Sequence, residues 1–154
     1  TQLPAGSRRV VRCLGIIEEQ HGHFVTISLV LERAPQGSMD AWLRPEHKAY
    51  VEARQDQWVL KLADALRFLH EDLGITHCDV KPANVLLFDD GRTPKLADFG
   101  SCRLLAGLRW HGSVSVATIS HVGYTPRYVA PERLTSSEAA VPAADVFSLG
   151  LLLW

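Results

Sequence analysis

The pattern of apolar and polar positions predicts two strands at the start of the chain. Residues 10–18 and 24–32 are β-branched and apolar runs, while residues 19–23 between them are polar and contain a glycine. This pattern is typical of a β-hairpin, because glycine readily adopts the positive φ that tight turns need. Residues 33–38 then break the apolar pattern with Pro and Gly, which predicts a linker between two bodies.

The next part of the chain has the spacing of helices. Ser38 is a plausible N-cap for a short helix. From residue 49 to residue 73, apolar residues recur every three or four positions, and Gly74 provides a stop signal for one long amphipathic helix. Residues 143–154 are almost wholly apolar apart from Asp145, as expected for a helix buried in a core.

A second, smaller hairpin is predicted between these helices. The apolar runs 85–88 and 94–97 flank the polar turn 89–92. Residues 101–129 contain three glycines, several hydroxyl side chains and only scattered apolar residues, which indicates a long loop. The predicted fold class is therefore α+β, with most of the helices after the first hairpin.

Composition narrows the classes of function. Hydrophobic residues at 47% and charged residues at 21% are ordinary globular values and exclude a disordered chain. Sixteen basic and seventeen acidic residues give a net charge of -1, so no nucleic acid partner is expected. No apolar run approaches the roughly 20 residues of a membrane span. Three widely spaced cysteines do not form a disulfide framework, which favours a reducing, cytoplasmic location.

The strongest candidate for chemistry is the stretch 77–84, which reads H-C-D-V-K-P-A-N. Asp79, Lys81 and Asn84 cannot share one face of a regular helix, so a loop must bring them together, and Pro82 favours that loop. Asp can accept a proton, Lys can neutralise phosphate charge, and Asn can offer an oxygen to Mg²⁺. Phosphoryl transfer requires these groups of a protein.

Two more motifs follow in order, D-F-G at 98–100 and A-P-E at 130–132. This set of three motifs resembles the eukaryotic protein kinase family, and the resemblance runs from about residue 10 to residue 154. The Lys-Pro-Ala-Asn part of the loop is similar to the serine/threonine type. The Cys at position 78 and the sequence D-V-F-S-L-G at 145–150 resemble the tyrosine-kinase-like or Mos-like subgroups.

The resemblance implies a protein-kinase-like fold and a division of the chain. Residues 1–32 would be the end of the small lobe, residues 33–38 the hinge, and residues 39–154 the large lobe up to its central buried helix. The family's Gly-rich loop and strand lysine would precede this chain. We therefore expect an internal fragment of a kinase domain that has no turnover by itself.

The resemblance also implies roles for individual residues. Asp79 would accept the proton of the substrate hydroxyl, and Lys81 would contact the γ-phosphate of ATP. Asn84 and Asp98 would hold Mg²⁺. The residues expected around the adenine are Leu31 in the gatekeeper position, Glu32, Ala34 through its backbone, and Leu86. The residues expected to support the loops are His77, Phe99, Gly100, Thr125, Glu132 and Asp145.

For three of these supporting residues the resemblance implies a particular contact. Thr125 would bridge the substrate-docking loop to Asp79 and Lys81. Asp145 would hold the backbone of the catalytic loop, although a simple helix-start role fits the sequence equally well. Glu132 would pair with an arginine from a later helix, and would be exposed or unpaired in this chain.

The cysteines add one regulatory expectation and two chemical hypotheses. Cys78 stands where many relatives have an Arg that binds an activation-segment phosphate, so weak dependence on phosphorylation within residues 113–120 is expected. A zinc site including Cys78 and Cys102 is disfavoured by their wide spacing. Cys102, close to the metal-binding Asp98, is a candidate reactive thiol.

The predicted function is transfer of the ATP γ-phosphate to Ser and Thr hydroxyls of protein substrates. Small-molecule phosphotransferases share the H-x-D-x-x-x-x-N motif but generally lack the A-P-E motif. A pseudokinase or scaffold also stays open, because the Gly-rich loop, the strand lysine and its glutamate partner lie outside these 154 residues.

Overall fold

The computed structural model describes residues 5–105, 125–135 and 141–153. The strands are β1 (Cys13–His21), β2 (Phe24–Leu31), β3 (Ile75–Thr76), β4 (Val85–Phe88), β5 (Thr93–Leu96) and β6 (Arg103–Leu104). The α-helices are α1 (Lys48–Glu52), α2 (Gln55–Arg67), α3 (Pro131–Thr135) and α4 (Pro142–Leu153). Within the described residues the strands form three antiparallel pairs, β1 with β2, β3 with β6, and β4 with β5. This mixture of helices and strands confirms the α+β fold class.

The first hairpin is shifted relative to its prediction. β1 starts at Cys13 and continues to His21, which pairs with Phe24, so the turn contains only Gly22 and His23. Gly22 has a φ of 62°, as a tight turn requires. The prediction ended the first strand too early because it took the polar residues 19–21 for a turn. Every side chain of both strands is exposed, so polar residues continue the ladder without a burial cost.

The long helix predicted from residue 49 to residue 73 is wrong as one element. α1 ends at Glu52, α2 begins at Gln55, and a π-helical turn covers Phe68–Asp72. Gly74 follows with a φ of 64°, in agreement with the predicted stop.

The cause of the break is an interaction distant in sequence. Tyr50 of α1 and Trp58 of α2 donate hydrogen bonds to the neighbouring carbonyls of Asp90 and Gly91 in the β4–β5 turn. Eight residues of continuous helix would separate these two side chains by about 12 Å along the axis. A break between them lets both reach the same turn.

The prediction of a helix capped by Ser38 is also wrong. Met39–Ala41 forms a single 3₁₀ turn, and the Ser38 side chain makes no capping hydrogen bond. Its backbone instead bridges to Leu86, and the N–H of Leu87 donates to the carbonyl of Gly37 at 2.9 Å. The linker therefore docks on β4 before the chain enters the helical region.

The core is centred on α2 and the β4–β5 hairpin. Its largest fully buried members are Met39, Trp58, Leu62, Leu69, Val80, Val85, Leu87 and Leu96. α4 contributes the buried side chains of Leu149 and Leu152. The loop 77–84 and the β4–β5 hairpin thus stand on one packed support. In the parts of the chain that the structure describes, no helix is long and apolar enough to cross a membrane.

Candidate active site

The loop 77–84 has an unusual backbone at its second residue. Cys78 has a φ of 69°, a left-handed conformation that costs a residue with a Cβ roughly 1–2 kcal/mol. The surrounding structure must therefore hold this residue in place. The loop ends in the 3₁₀ turn Pro82–Asn84, and the N–H of Asn84 donates to the carbonyl of Lys81 at 3.0 Å.

Asp145 at the start of α4 holds the strained part of the loop. Its carboxylate is 1% exposed and accepts the backbone N–H of His77 at 2.7 Å and that of Cys78 at 2.8 Å. Successive N–H groups that converge on one carboxylate form a nest, an arrangement that binds anions. The predicted pairing of Asp145 with backbone N–H groups is present, and a helix-start role alone does not account for it.

A third contact to Asp145 was not predicted. Nε2 of His70, in the π-helical turn after α2, lies 2.8 Å from the carboxylate. The sequence favours a core or capping role for His70 and does not indicate this contact, because its partner is 75 residues away and no local pattern points to it.

His77 links the loop to the segment that carries D-F-G. Its Nδ1 accepts the N–H of Asp79 at 3.3 Å, so Nε2 carries the proton and donates to the carbonyl of Ala97 at 3.0 Å. Burial lowers the pKa of His77, although the Asp145 charge opposes this effect. Phe99 lies with its ring centroid 5.4 Å from that of His77. These contacts are compatible with the packing role expected of both side chains, which stays a prediction.

The two predicted catalytic side chains are in direct contact. Nζ of Lys81 lies 2.6 Å from Oδ2 of Asp79, and it donates to Oγ1 of Thr125 at 2.9 Å. The Thr125 hydroxyl in turn donates to Oδ1 of Asp79 at 3.3 Å. Thr125 is 44 residues from Lys81 along the chain, so the fold brings together three groups that only the family resemblance had connected.

Asn84 lies against the same carboxylate. Its Nδ2 donates to the backbone carbonyl and to Oδ2 of Asp79, both at 2.9 Å. The amide oxygen Oδ1 of Asn84 takes no part in these two bonds. It is therefore available as a ligand for a hard cation.

The β4–β5 hairpin brings Asp98 back to Asn84. The N–H of Ala97 donates to the carbonyl of Asn84 at 2.9 Å, and Asp98 is the next residue. Asp98 has a φ of 59°, is exposed, and accepts the N–H of Gly100 with Oδ1 at 3.3 Å. A carboxylate and an amide oxygen on adjacent segments fit Mg²⁺, which takes few protein ligands together with phosphate and water oxygens.

The residues expected around the adenine lie on or next to the linker at residues 33–38. Leu31 is 44% exposed, Leu86 is half-buried on β4, and Ala34 is half-buried. The carbonyl of Ala34 accepts the N–H of Gly37 at 3.3 Å in a turn, and its own N–H has no partner among the residues described. That N–H is free to donate to a ligand.

Glu32 has a side-chain role that the sequence analysis missed. Its Oε1 accepts from Nζ of Lys95 at 2.6 Å and from the N–H of Arg12 at 2.9 Å. Partial burial alone would raise the pKa of Glu32, but these two donors outweigh burial and lower it. The ion pair ties the end of β2 to β5.

The cysteine hypotheses receive a clear answer for Cys102. Burial raises the pKa of its thiol to about 12, so the reactive-thiol hypothesis is wrong. Burial also raises the pKa of Cys78, whose sulfur lies 3.2 Å from Oγ1 of Thr76.

No group of three metal-binding side chains occurs within residues 5–105, 125–135 and 141–153. The phosphorylation sites expected within 113–120 lie outside the described residues.

α3 carries the A-P-E glutamate and one further contact to the loop. Glu132 is exposed, although it is not without an interaction partner. Arg133, which the sequence analysis passed over, donates from Nη1 to the backbone carbonyl of Cys78.

Comparisons with known proteins identify relatives of this chain. The family model described as "Protein kinase domain" matches residues 3–154. The proto-oncogene serine/threonine-protein kinase mos of Rattus norvegicus is 32% identical over 154 residues, which is 100% of this chain and 41% of that protein. The serine/threonine-protein kinase mos of Xenopus laevis is 45% identical over 95 residues, 60% of this chain and 26% of that protein.

A plant relative matches at a similar level. The LRR receptor-like serine/threonine-protein kinase EFR of Arabidopsis thaliana is 32% identical over 136 residues, 82% of this chain and 13% of that protein. The chain thus spans between 13% and 41% of the length of these three relatives.

Proposed function

Because this chain belongs to the protein kinase family, we propose that the full-length protein transfers the γ-phosphate of ATP to serine and threonine hydroxyls of protein substrates. The observation that carries the proposal is the contact of Asp79 with both Lys81 and Thr125. These groups come from two distant segments, and together they place a base, a cation and a hydroxyl at one point. Relatives named as serine/threonine-protein kinases support the choice of substrate class.

Asp79 is the proposed acceptor of the substrate proton. Its Oδ2 is occupied by Lys81 and Asn84, whereas Oδ1 accepts only the long 3.3 Å bond from Thr125 among the described contacts. A carboxylate oxygen can accept more than one hydrogen bond, so Oδ1 has capacity for a substrate hydroxyl. A positioned base of this kind accelerates proton transfer by about 10²–10⁴-fold.

Lys81 is the proposed cation for the transferred phosphoryl group. Two of the three protons on its Nζ are directed to Asp79 and Thr125. The third is free to donate to a phosphate oxygen. Bound ATP supplies the phosphoryl group, and the accompanying Mg²⁺ neutralises its charge.

Asn84 and Asp98 are the proposed ligands of Mg²⁺. Asn84 is buried and locked by its two bonds to Asp79, so its Oδ1 has a fixed direction. Asp98 is held next to it by the Ala97–Asn84 backbone bond. A rigid amide and an accessible carboxylate would bind the cation without a closed protein cage.

The test is phosphate transfer by the full-length protein to two panels of acceptors, peptides containing Ser or Thr and small alcohols. We expect transfer to peptides, and Asp79→Asn should reduce it by about 10²–10⁴-fold. Asp64→Asn, on the exposed face of α2, is the matched control and should leave the rate unchanged.

Two outcomes would contradict the proposal. Transfer to small alcohols but not to peptides would identify a small-molecule phosphotransferase. Nucleotide binding without any transfer would identify a pseudokinase that works as a scaffold.

A further inference from the structure

The peptide unit between Cys78 and Asp79 is held at both of its polar groups. Its N–H, which belongs to Asp79, donates to Nδ1 of His77 at 3.3 Å. Its carbonyl, which belongs to Cys78, accepts from Nη1 of Arg133 on α3. A peptide plane fixed at both ends cannot rotate without breaking a hydrogen bond.

The same peptide unit sets the direction of the proposed base. It joins Cys78, which has the strained φ of 69°, to Asp79. Asp145 holds the N–H of Cys78, so the strained residue is restrained on its amino side by a carboxylate and on its carboxyl side by a guanidinium. Strained conformations persist only where surrounding contacts determine them.

Arg133 is suited to this task by its chemistry and its place. It is half-buried, and its guanidinium presents several donors in a fixed plane. A charged donor makes a stronger hydrogen bond to a carbonyl than a neutral donor does. Arg133 therefore brings a positive charge against the Cys78 carbonyl.

We infer that Arg133 is a positioning residue that aims the Asp79 carboxylate by fixing the peptide unit between Cys78 and Asp79. Arg133 acts through the backbone and does not touch the reacting groups. Its loss should therefore change the rate of the chemical step and leave ATP affinity nearly unaffected. This inference rests on the proposed function for its kinetic test, but its structural test is independent of activity.

The kinetic test compares Arg133→Gln and Arg133→Lys in the full-length protein with a peptide substrate. Arg133→Gln should lower kcat by about tenfold, as expected for one lost charge-assisted hydrogen bond, with KM for ATP within about twofold. Arg133→Lys keeps a cationic donor and should lose less than about threefold. The matched control is Arg67→Gln, since Arg67 is 48% exposed and its ion pair with Glu71 lies on the surface.

The structural test is amide hydrogen exchange of the segment 77–80, measured by mass spectrometry on the same variants. Arg133→Gln should speed exchange there by about threefold or more, because the peptide unit gains freedom, while Arg67→Gln should not change it. If Arg133→Gln does not fold, Arg133→Lys is measured in the same way, with a smaller increase expected.

The possible outcomes distinguish a failure of the proposed function from a failure of the positioning role of Arg133. An inactive wild-type protein whose segment 77–80 still exchanges faster in Arg133→Gln would refute the proposed function and support the positioning role. An active protein in which the substitution changes neither exchange nor kcat would refute the positioning role alone. A rise in KM for ATP with unchanged kcat would also overturn it.

Discussion

The carboxylate of Asp145 lies 2.8 Å from the backbone nitrogen of Cys78, whose φ is 69°. α4 thus supports a strained residue directly before the proposed base. The carboxylate also accepts the N–H of His77 and lies 2.8 Å from Nε2 of His70. These three contacts offset the cost of burying the Asp145 charge. In turn, the two N–H groups and His70 would lose their partner without this carboxylate.

Asp145→Asn should therefore destabilise the protein. The substitution removes the negative charge and replaces one carboxylate oxygen of residue 145 with an NH₂ group. This group cannot accept the hydrogen bond of the N–H that it faces. The free energy of unfolding should fall by about 3 kcal/mol, measured by urea denaturation. Asp56→Asn on the exposed first turn of α2 should cost less than about 1 kcal/mol. Equal effects of the two substitutions would show that the nest contributes little.

The hydroxyl of Thr125 should matter for turnover. It lies between Nζ of Lys81 and Oδ1 of Asp79, and it orients both groups. Thr125→Ala should lower kcat by about tenfold, whereas Thr125→Ser should stay within about threefold of the wild type. Steady-state kinetics on a peptide substrate measures both. A similar loss in both variants would point to the methyl group and to packing.

The residues of the candidate site could be predicted from the sequence more fully than the contacts that hold them in place. The spacing of Asp79, Lys81 and Asn84 excluded a helix and required a loop, and the loop exists. The β4 strand was predicted with its observed bounds, because an apolar run between polar segments has few alternatives. The family resemblance, not the spacing, connected Thr125 to this loop.

The supports depend on partners that local patterns do not contain. The break between α1 and α2 follows from hydrogen bonds to the turn at Asp90 and Gly91, and no glycine or proline marks it. His70 and Arg133 look like ordinary charged or polar helix residues until the fold places them against the loop. Sequence patterns predict which face is buried, but they do not identify a contact across 55 or 75 residues.

Protonation of His77 should make stability depend on pH. Burial lowers its folded-state pKa below the ordinary value of 6.5. Below pH 6.5 the unfolded chain therefore binds a proton that the folded chain does not, so stability is full above this pH and falls as pH decreases. The free energy of unfolding should be about 1 kcal/mol lower at pH 5.5 than at pH 7.5 from this group.

Two variants isolate the His77 contribution. His77→Asn removes the titrating ring, so its unfolding free energy should change less between pH 7.5 and 5.5 than that of the wild type. His23→Asn, in the exposed β1–β2 turn, should keep the wild-type dependence. An unchanged slope in His77→Asn would assign the pH effect to another group.

The three cysteines should differ sharply in reactivity. Cys13 is exposed, whereas Cys78 is buried and Cys102 is partly buried. With a pKa of about 12 for Cys102, only about one thiol in ten thousand is ionised at pH 8. Iodoacetamide should label Cys13 in the folded protein, and the other two only after unfolding, as read by peptide mass spectrometry. Rapid labelling of Cys102 in the native state would restore the reactive-thiol hypothesis.

The ion pair between Glu32 and Lys95 should couple the end of β2 to β5 energetically. Both side chains are 16% exposed and their charged atoms lie 2.6 Å apart, so solvent screens this pair less than a surface pair. A double-mutant cycle with Glu32→Gln and Lys95→Met should give a coupling free energy of about 1.5 kcal/mol at pH 7. Because the folded-state pKa of Glu32 is lowered, this stabilisation is present above pH 4.5 and is lost as pH falls below it. The matched surface pair is Lys48 and Glu52, at least 61% exposed, whose coupling should not exceed about 0.5 kcal/mol. Equal coupling in the two pairs would mean that burial of the Glu32–Lys95 pair adds nothing to the interaction.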